Sequence, residues 1–217
     1  MSKTEPSPAQ RALLERWLEE MYRWNERVNL TAVGTDDAWA RHVLESLQLL
    51  DAAMPAPGSR VVDLGSGGGA PGLPIAIVRA DLRVTLVDAD RRKAAFLTHV
   101  SALLADGVRV DVLDRRAEAL GHDADHRERY DLAVSRATAA PAALCELALP
   151  LVRRGGLLAC LVADAKAAAS ASIAAAAAVG GDLPRAAAPG ILIVAKVAPT
   201  PETFPRREGV PARRPLS

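Results

Sequence analysis

Apolar positions along the chain change their spacing twice. Up to about Pro55 they recur every three or four residues, and from Arg60 they come in short β-branched runs. Beyond Pro199 they keep no period. In the first stretch Leu14, Trp17, Leu18, Met21 and Tyr22 fall on one helical face. Ser7, Pro8 and Gln10 predict where that helix starts: a capping hydroxyl, a ring preset to helical φ, and an amide able to reach back. Thr35, Asp36 and Asp37 open a second helix with Trp39, Val43, Leu47 and Leu50 on one face, ending before Pro55. The stretch from Asn25 to Gly34 between them reads as a polar loop.

From Arg60 onward, runs at 60–64, 84–88, 108–113, 131–135, 157–162 and 191–197 predict strands. Helical stretches beginning near Pro71, Asp90, Ala139 and Ala165 separate them. Such alternation predicts an α/β fold, a doubly wound, mostly parallel sheet of Rossmann-like type. Residues 165–179 are Ala-rich and predict helix from propensity alone. Pro199, Pro201, Pro205, Pro211 and Pro215 predict an extended tail without helix or interior strand. The expected division is an N-terminal helical extension over 1–58, a core domain over 59–198 and a tail over 199–217.

Composition narrows the function classes. The chain has 217 residues, 50% hydrophobic and 24% charged, which suits one packed domain. A formal net charge of +1 advertises no polyanionic partner, so nucleic-acid affinity would have to come from local clusters. Cys145 and Cys160 are too few for a disulfide framework or a zinc site. No run reaches the length of a membrane span and the N-terminus lacks an apolar signal region, so a cytoplasmic protein is expected.

The candidate chemistry lies between Val61 and Asp88. Val61-Val62-Asp63-Leu64-Gly65-Ser66-Gly67-Gly68-Gly69 is an apolar strand running into a glycine turn, with Pro71 opening a helix. Ligands of doubly wound sheets bind beyond the carboxyl ends of the strands, where this turn falls. Asp63 would repel a pyrophosphate but suits a ligand bearing an ammonium and a sulfonium. Asp88 closes the next strand and can accept ribose hydroxyls. Together they favour S-adenosylmethionine over a dinucleotide, and the fold is then a class I methyltransferase. The plain alternative is that both acids are solvated strand ends beside an ordinary turn.

Other segments carry a resemblance: Trp24-Asn25 with Asn29-Leu30-Thr31; Arg41-His42-Val43-Leu44-Glu45-Ser46; Asp63 through Pro74; Arg91 through Leu97; Arg116-Ala117-Glu118; Ser135-Arg136-Ala137; and Phe204-Pro205-Arg206-Arg207. In these the chain resembles the bacterial small-subunit ribosomal RNA guanine-N7 methyltransferases (RsmG, also called GidB). The resemblance implies methyl transfer to N7 of guanosine 527 in the 530 loop of 16S rRNA, free or within the 30S subunit, by a monomer. It implies a cofactor site of Asp63, Gly65, Ser66, Gly67, Gly69, Leu73, Asp88, Ala117, Glu118 and Arg136. Arg136 would be the catalytic residue at the reaction centre, and Arg41, His42, Arg136, Arg206 and Arg207 would bind substrate. Val162-Ala163 stands where the family usually has Lys-Gly, with Lys166 nearby, and a strand before Ile191 is hard to find.

Guanine N7 has an in-plane lone pair and no proton, so its methylation needs no general base. Further candidate phosphate contacts are Arg23, Arg27, Arg91-Arg92-Lys93 and Arg213-Arg214, although basic residues on a helix face are usually solvated. His122, Asp123, Asp125 and His126 lie close together but read as a solvated loop, and no metal is expected. Both cysteines read as core residues. Trp17 and Trp39 also read as core, while Trp24 could stack on a base. A small-molecule methyltransferase of the same fold and a non-catalytic RNA-binding relative remain the competing readings.

Overall fold

A computed structural model describes residues 4–105, 107–136 and 139–216. Ala137, which closes one of the segments quoted above, lies outside them. Helix α1 spans Pro8–Val28, capped by Ser7, and Gln10 completes the reciprocal bonds expected of it. The second helical stretch is less uniform than its spacing predicts. A 3-10 turn (Thr35–Asp37) leads into a π turn (Trp39–Leu44), and only then comes α2 (Glu45–Ala53).

The remaining elements run in order: β1 (Arg60–Leu64), α3 (Gly72–Val78), β2 (Arg83–Asp88), α4 (Arg91–Leu103), β3 (Val110–Asp114) and α5 (Ala117–Gly121). Then come β4 (Tyr130–Arg136), α6 (Pro141–Ala148), β5 (Val152–Leu161), α7 (Ala165–Ala171), α8 (Ile173–Ala178), β6 (Arg185–Ala188), β7 (Ile191–Ala195) and α9 (Val210–Arg213). The seven-stranded sheet has the order β3-β2-β1-β4-β5-β7-β6. Strands β1 to β5 are parallel and β7 enters antiparallel against β5. The strand that was hard to find is β6, an edge strand on β7. Its Arg-Ala-Ala-Ala sequence has no β-branched residue to announce it.

Two expectations need correction. The Ala-rich stretch is two helices, parted at Ser172, whose buried hydroxyl donates to the Ala168 carbonyl. The tail contains α9, a single turn with Pro211 near its start, where the missing N–H costs nothing.

The core lies on both faces of the sheet. One cluster joins Leu14, Trp17 and Leu47 of the N-terminal helices to Val61, Leu86 and Phe96. The other packs α6 and the alanines of α8 on the opposite face. No described helix is long and apolar enough to cross a membrane.

Candidate cofactor and RNA site

Beyond the carboxyl ends of β1, β2, β4 and β5 lies a cleft of about 1300 Å³, whose walls include Gly65, Gly67, Asp88, Ala117, Glu118 and Arg136. The glycine turn is stitched to β2. Gly65 N and Ser66 N both donate to the Val87 carbonyl, at 2.8 and 3.0 Å. The Ser66 hydroxyl donates to the Asp63 carbonyl and accepts from Val87 N. It therefore braces the turn, while its backbone lines the cleft. Gly65 and Gly67 take positive φ, which a glycine adopts without strain. From the other side Trp17 of α1 donates its indole N–H to the Gly68 carbonyl at 2.9 Å.

Asp63 and Asp88 have different tasks. The Asp88 carboxylate accepts from Gly67 N and Asp90 N, both at 2.9 Å, and shapes the turn. A carboxylate has about four acceptor sites, so ribose hydroxyls remain within its capacity. Asp63 is fully buried, and burial pushes its carboxyl up to about 7 against the pull of the Gly72 amide. Its Oδ2 accepts from Gly72 N at 3.0 Å, whereas Oδ1 is a buried polar atom with no hydrogen-bond partner among the described residues. A Cβ on Gly72 would lie 2.7 Å from Oδ2, so only glycine lets the helix start approach.

The expected site residues differ in where they fall around the cleft. Gly65, Ser66, Gly67, Asp88, Ala117, Glu118, Arg136 and Arg41 line the cleft. Asp63, Gly69 and Leu73 are not among its lining residues. Leu73 is fully buried beneath Gly69, where an added Cβ would meet it at 2.4 Å. His42 is also fully buried, behind Arg136, which removes it from the surface an RNA could touch in this conformation.

The N-terminal segment holds Arg136. Its guanidinium donates to the Arg41 carbonyl at 2.6 Å and to His42 Nδ1 at 2.7 Å. An arginine only donates, so Nδ1 is the acceptor and the ring proton sits on Nε2, 3.2 Å from the Thr31 hydroxyl. Burial, then the charges of Arg136 and Arg41, push His42 down to about 4, leaving it neutral at pH 7. Burial lowers Arg136 too, opposed by the charge of Asp63.

The tail closes the other end of the cleft. Arg206 grips buried Glu146 through both carboxylate oxygens, at 2.6 to 3.1 Å, and donates to the Arg214 carbonyl. Its guanidinium fastens the tail in this conformation. Arg207 is exposed. Glu118 accepts from Gly209 N at 2.8 Å and from Arg116 at 3.1 Å. Burial works to raise its carboxyl, but these donors outweigh it and hold it below the usual range. Ala212 of α9 lines the cleft.

A family model described as rRNA small subunit methyltransferase G (GidB) matches residues 10–179. The chain belongs to the GidB family. The "Ribosomal RNA small subunit methyltransferase G" of Roseiflexus sp. (strain RS-1) is 43% identical over 211 residues, covering 93% of this chain and 89% of the relative. That of Deinococcus radiodurans is 40% identical, covering 88% and 80%. Among solved structures, the Thermus thermophilus 16S rRNA N2 G1207 methyltransferase, in complex with AdoMet and guanosine, matches with TM-score 0.50 at 22% identity. It covers 71% of this chain and 39% of that one. A SAM-dependent O-methyltransferase from Thermotoga maritima gives 0.55 at 14% identity, covering 85% and 72%. These two likenesses concern the fold, which is that of class I methyltransferases.

Several features of this GidB chain escaped sequence reasoning. The loop holding His122 keeps His122 and Asp125 exposed, as expected of a solvated loop, but it is also fastened. His122 Nε2 meets the Pro205 carbonyl at 2.7 Å, Asp123 pairs with Arg115, and His126 meets the Tyr130 hydroxyl. Nearby, Arg127 donates to the carbonyls of Phe204, Thr200 and Pro201. Trp24 is packed between α1 and α4 beside Phe96 and His99, donating to Glu20. Ala163, Asp164 and three alanines of α7 line the cleft where the family pattern breaks. Asp164 caps α7 through Lys166 N and Ala167 N, while exposed Lys166 is not among the lining residues.

Proposed function

We propose that this chain transfers the methyl group of S-adenosylmethionine to N7 of a guanosine in small-subunit rRNA, guanosine 527 of the 530 loop. The observation that carries the reading is a glycine turn and a half-buried arginine on one cleft, with the buried Asp63 carboxylate, one of its oxygens unsatisfied among the described residues, at the base of that turn. Family membership supplies the class of substrate. The reaction is assigned to the cytoplasm and to a monomer, on rRNA free or assembled in the 30S subunit.

The residues fit the cofactor. Asp63 Oδ1 lacks the donor that an ammonium would bring, directly or through one water. Asp88 would accept the ribose hydroxyls, and Ala117 and Glu118 would lie against the adenine. The Gly65–Gly69 backbone would surround the methionine end. When bound, S-adenosylmethionine supplies a methyl group made electrophilic by the sulfonium.

The chain's own work is then orientation. N7 presents a lone pair and no proton, so no side chain has to act as a base. Arg136 would hold a phosphate or base edge of the target nucleotide, fixing the attacking nitrogen in line, a proximity effect worth several kcal/mol. Exposed Arg41, paired with half-buried Glu45 at the cleft, can exchange that partner for a phosphate, and exposed Arg207 in the tail can meet another. The test compares methyl transfer to naked 16S rRNA, 30S subunits and a set of small-molecule acceptors, with the product mapped in the 530 loop. Incorporation at guanosine 527 is expected. Turnover of metabolites with no response to either ribosomal substrate would overturn the proposal.

A further inference from the structure

Burial keeps His42 from meeting an RNA directly. Its bonding assigns it another task. His42 and Arg41 belong to the π turn, whose wide spacing is marked by Glu45 N bonding the Ala40 carbonyl five residues back. Such turns are rare and recur at functional sites. This one presents a main-chain carbonyl and an imidazole nitrogen, on consecutive residues, to one guanidinium at the end of β4. His42 is itself locked. Its Nε2 meets Thr31, whose hydroxyl also accepts from Val33 N, and Asn25 pins that loop by accepting from Leu30 N and Thr31 N. A chain of hydrogen bonds thus runs from α1, through the 29–33 loop and the His42 ring, to Arg136.

We infer that His42 is a positioning residue: as a neutral acceptor at Nδ1 it fixes the Arg136 guanidinium for the target nucleotide, making the N-terminal extension part of the active site. The inference rests on the proposed RNA methyl transfer, but its geometry can be tested separately. The planar fork of an arginine has direction, and tethering two of its donors turns a mobile charge into an oriented one. A protonated imidazole could not do this, because it would offer Arg136 a donor and a like charge.

The experiment compares two amides. The asparagine oxygen reaches about where Nδ1 lies, and the glutamine oxygen about where Nε2 lies. His42→Asn keeps an acceptor for Arg136, and His42→Gln keeps only the contact with Thr31. His42→Gln should lower kcat on rRNA by about ten- to a hundredfold, the worth of a hydrogen bond to a charged group. His42→Asn should recover most of it, with cofactor affinity by calorimetry changing far less than kcat in both. In an Arg136→Ala background His42→Gln should cost nothing further, since it acts through the missing side chain. Equal losses in both amides, or additive losses in the double variant, would overturn the inference. Nitrogen NMR of the wild type gives a readout free of activity: Nδ1 should be unprotonated and Nε2 protonated, and the reverse would sink the assignment. Wild-type protein that methylates no rRNA would instead sink the proposed function, leaving the tautomer test in force.

Discussion

On the cofactor side of the cleft, Gly65, Ser66 and Gly67 are bonded to Val87 and Asp88 on the neighbouring strand, about 21 residues away. On the target side Arg136 is held by a segment 94 residues distant in sequence, through one carbonyl and one imidazole. The first wall is made largely of backbone, whose hydrogen bonds form with the sheet itself. The second hangs on one arginine side chain, which finds the Arg41 carbonyl and the His42 ring only after the N-terminal helices have docked. A backbone cradle tolerates changes in the side chains around it, whereas a side-chain tether fails with a single substitution.

This contrast can be broken at either wall. The largest effect is expected from Arg136→Ala, which should reduce kcat/KM for rRNA by about a thousandfold while calorimetry still detects the cofactor. Comparable loss of both would mean that the walls are not separable. Next comes the tail. Glu146→Ala leaves Arg206 without its carboxylate and should lower unfolding stability by about 3 kcal/mol in denaturant titrations.

Asp88→Ala attacks the other wall and should weaken cofactor binding about thirtyfold, since it removes both the proposed ribose acceptor and the partner of Gly67 N. Acidity offers a gentler test. With Asp63 raised to about 7, its carboxyl is protonated below that pH and offers an ammonium no charge. Cofactor affinity should therefore fall as pH drops below 7, by at most about tenfold per unit, and level off above it. The ligand-free fold moves the opposite way, losing stability as pH rises from about 4 to 7, because ionising a buried carboxyl opposes folding. Asp63→Asn should flatten both curves. The smallest change belongs to exposed Arg207. Its replacement by alanine should weaken rRNA binding about twofold and reduce the salt slope by about one, with the melting temperature unmoved.

The geometry of the glycine-turn wall was readable in advance because its signals are local. Asp63, the glycines and Asp88 sit within a single strand-turn-helix-strand unit, and each residue type is tied to its task by backbone chemistry. Leu73 lies within that same unit but is fully buried beneath Gly69. Periodicity marks it as apolar, but whether an apolar residue lines a ligand or the core depends on what lies beyond the helix. The target wall was legible only in part. Arg136 could be placed at a strand end, yet nothing in Arg41-His42 announces that the ring faces inward. The tail hides its structure for the same reason: Arg206, Gly209 and Pro205 meet Glu146, Glu118 and His122, which lie 60 to 91 positions earlier. Prolines read as an instruction to stay extended, whereas here they end in a turn of helix fastened by distant charges.

The bond from Trp17 to the Gly68 carbonyl gives the glycine turn an optical label of its own. Indole emission responds to what its N–H meets, so any shift of the turn on ligand entry changes the spectrum of a fully buried chromophore. The chain has three tryptophans. Trp24 and Trp39 pack farther out, against His99 and beneath Arg11 respectively. Replacing both by phenylalanine would leave a single fluorophore seated against the cradle, able to follow its occupancy in real time without an added dye.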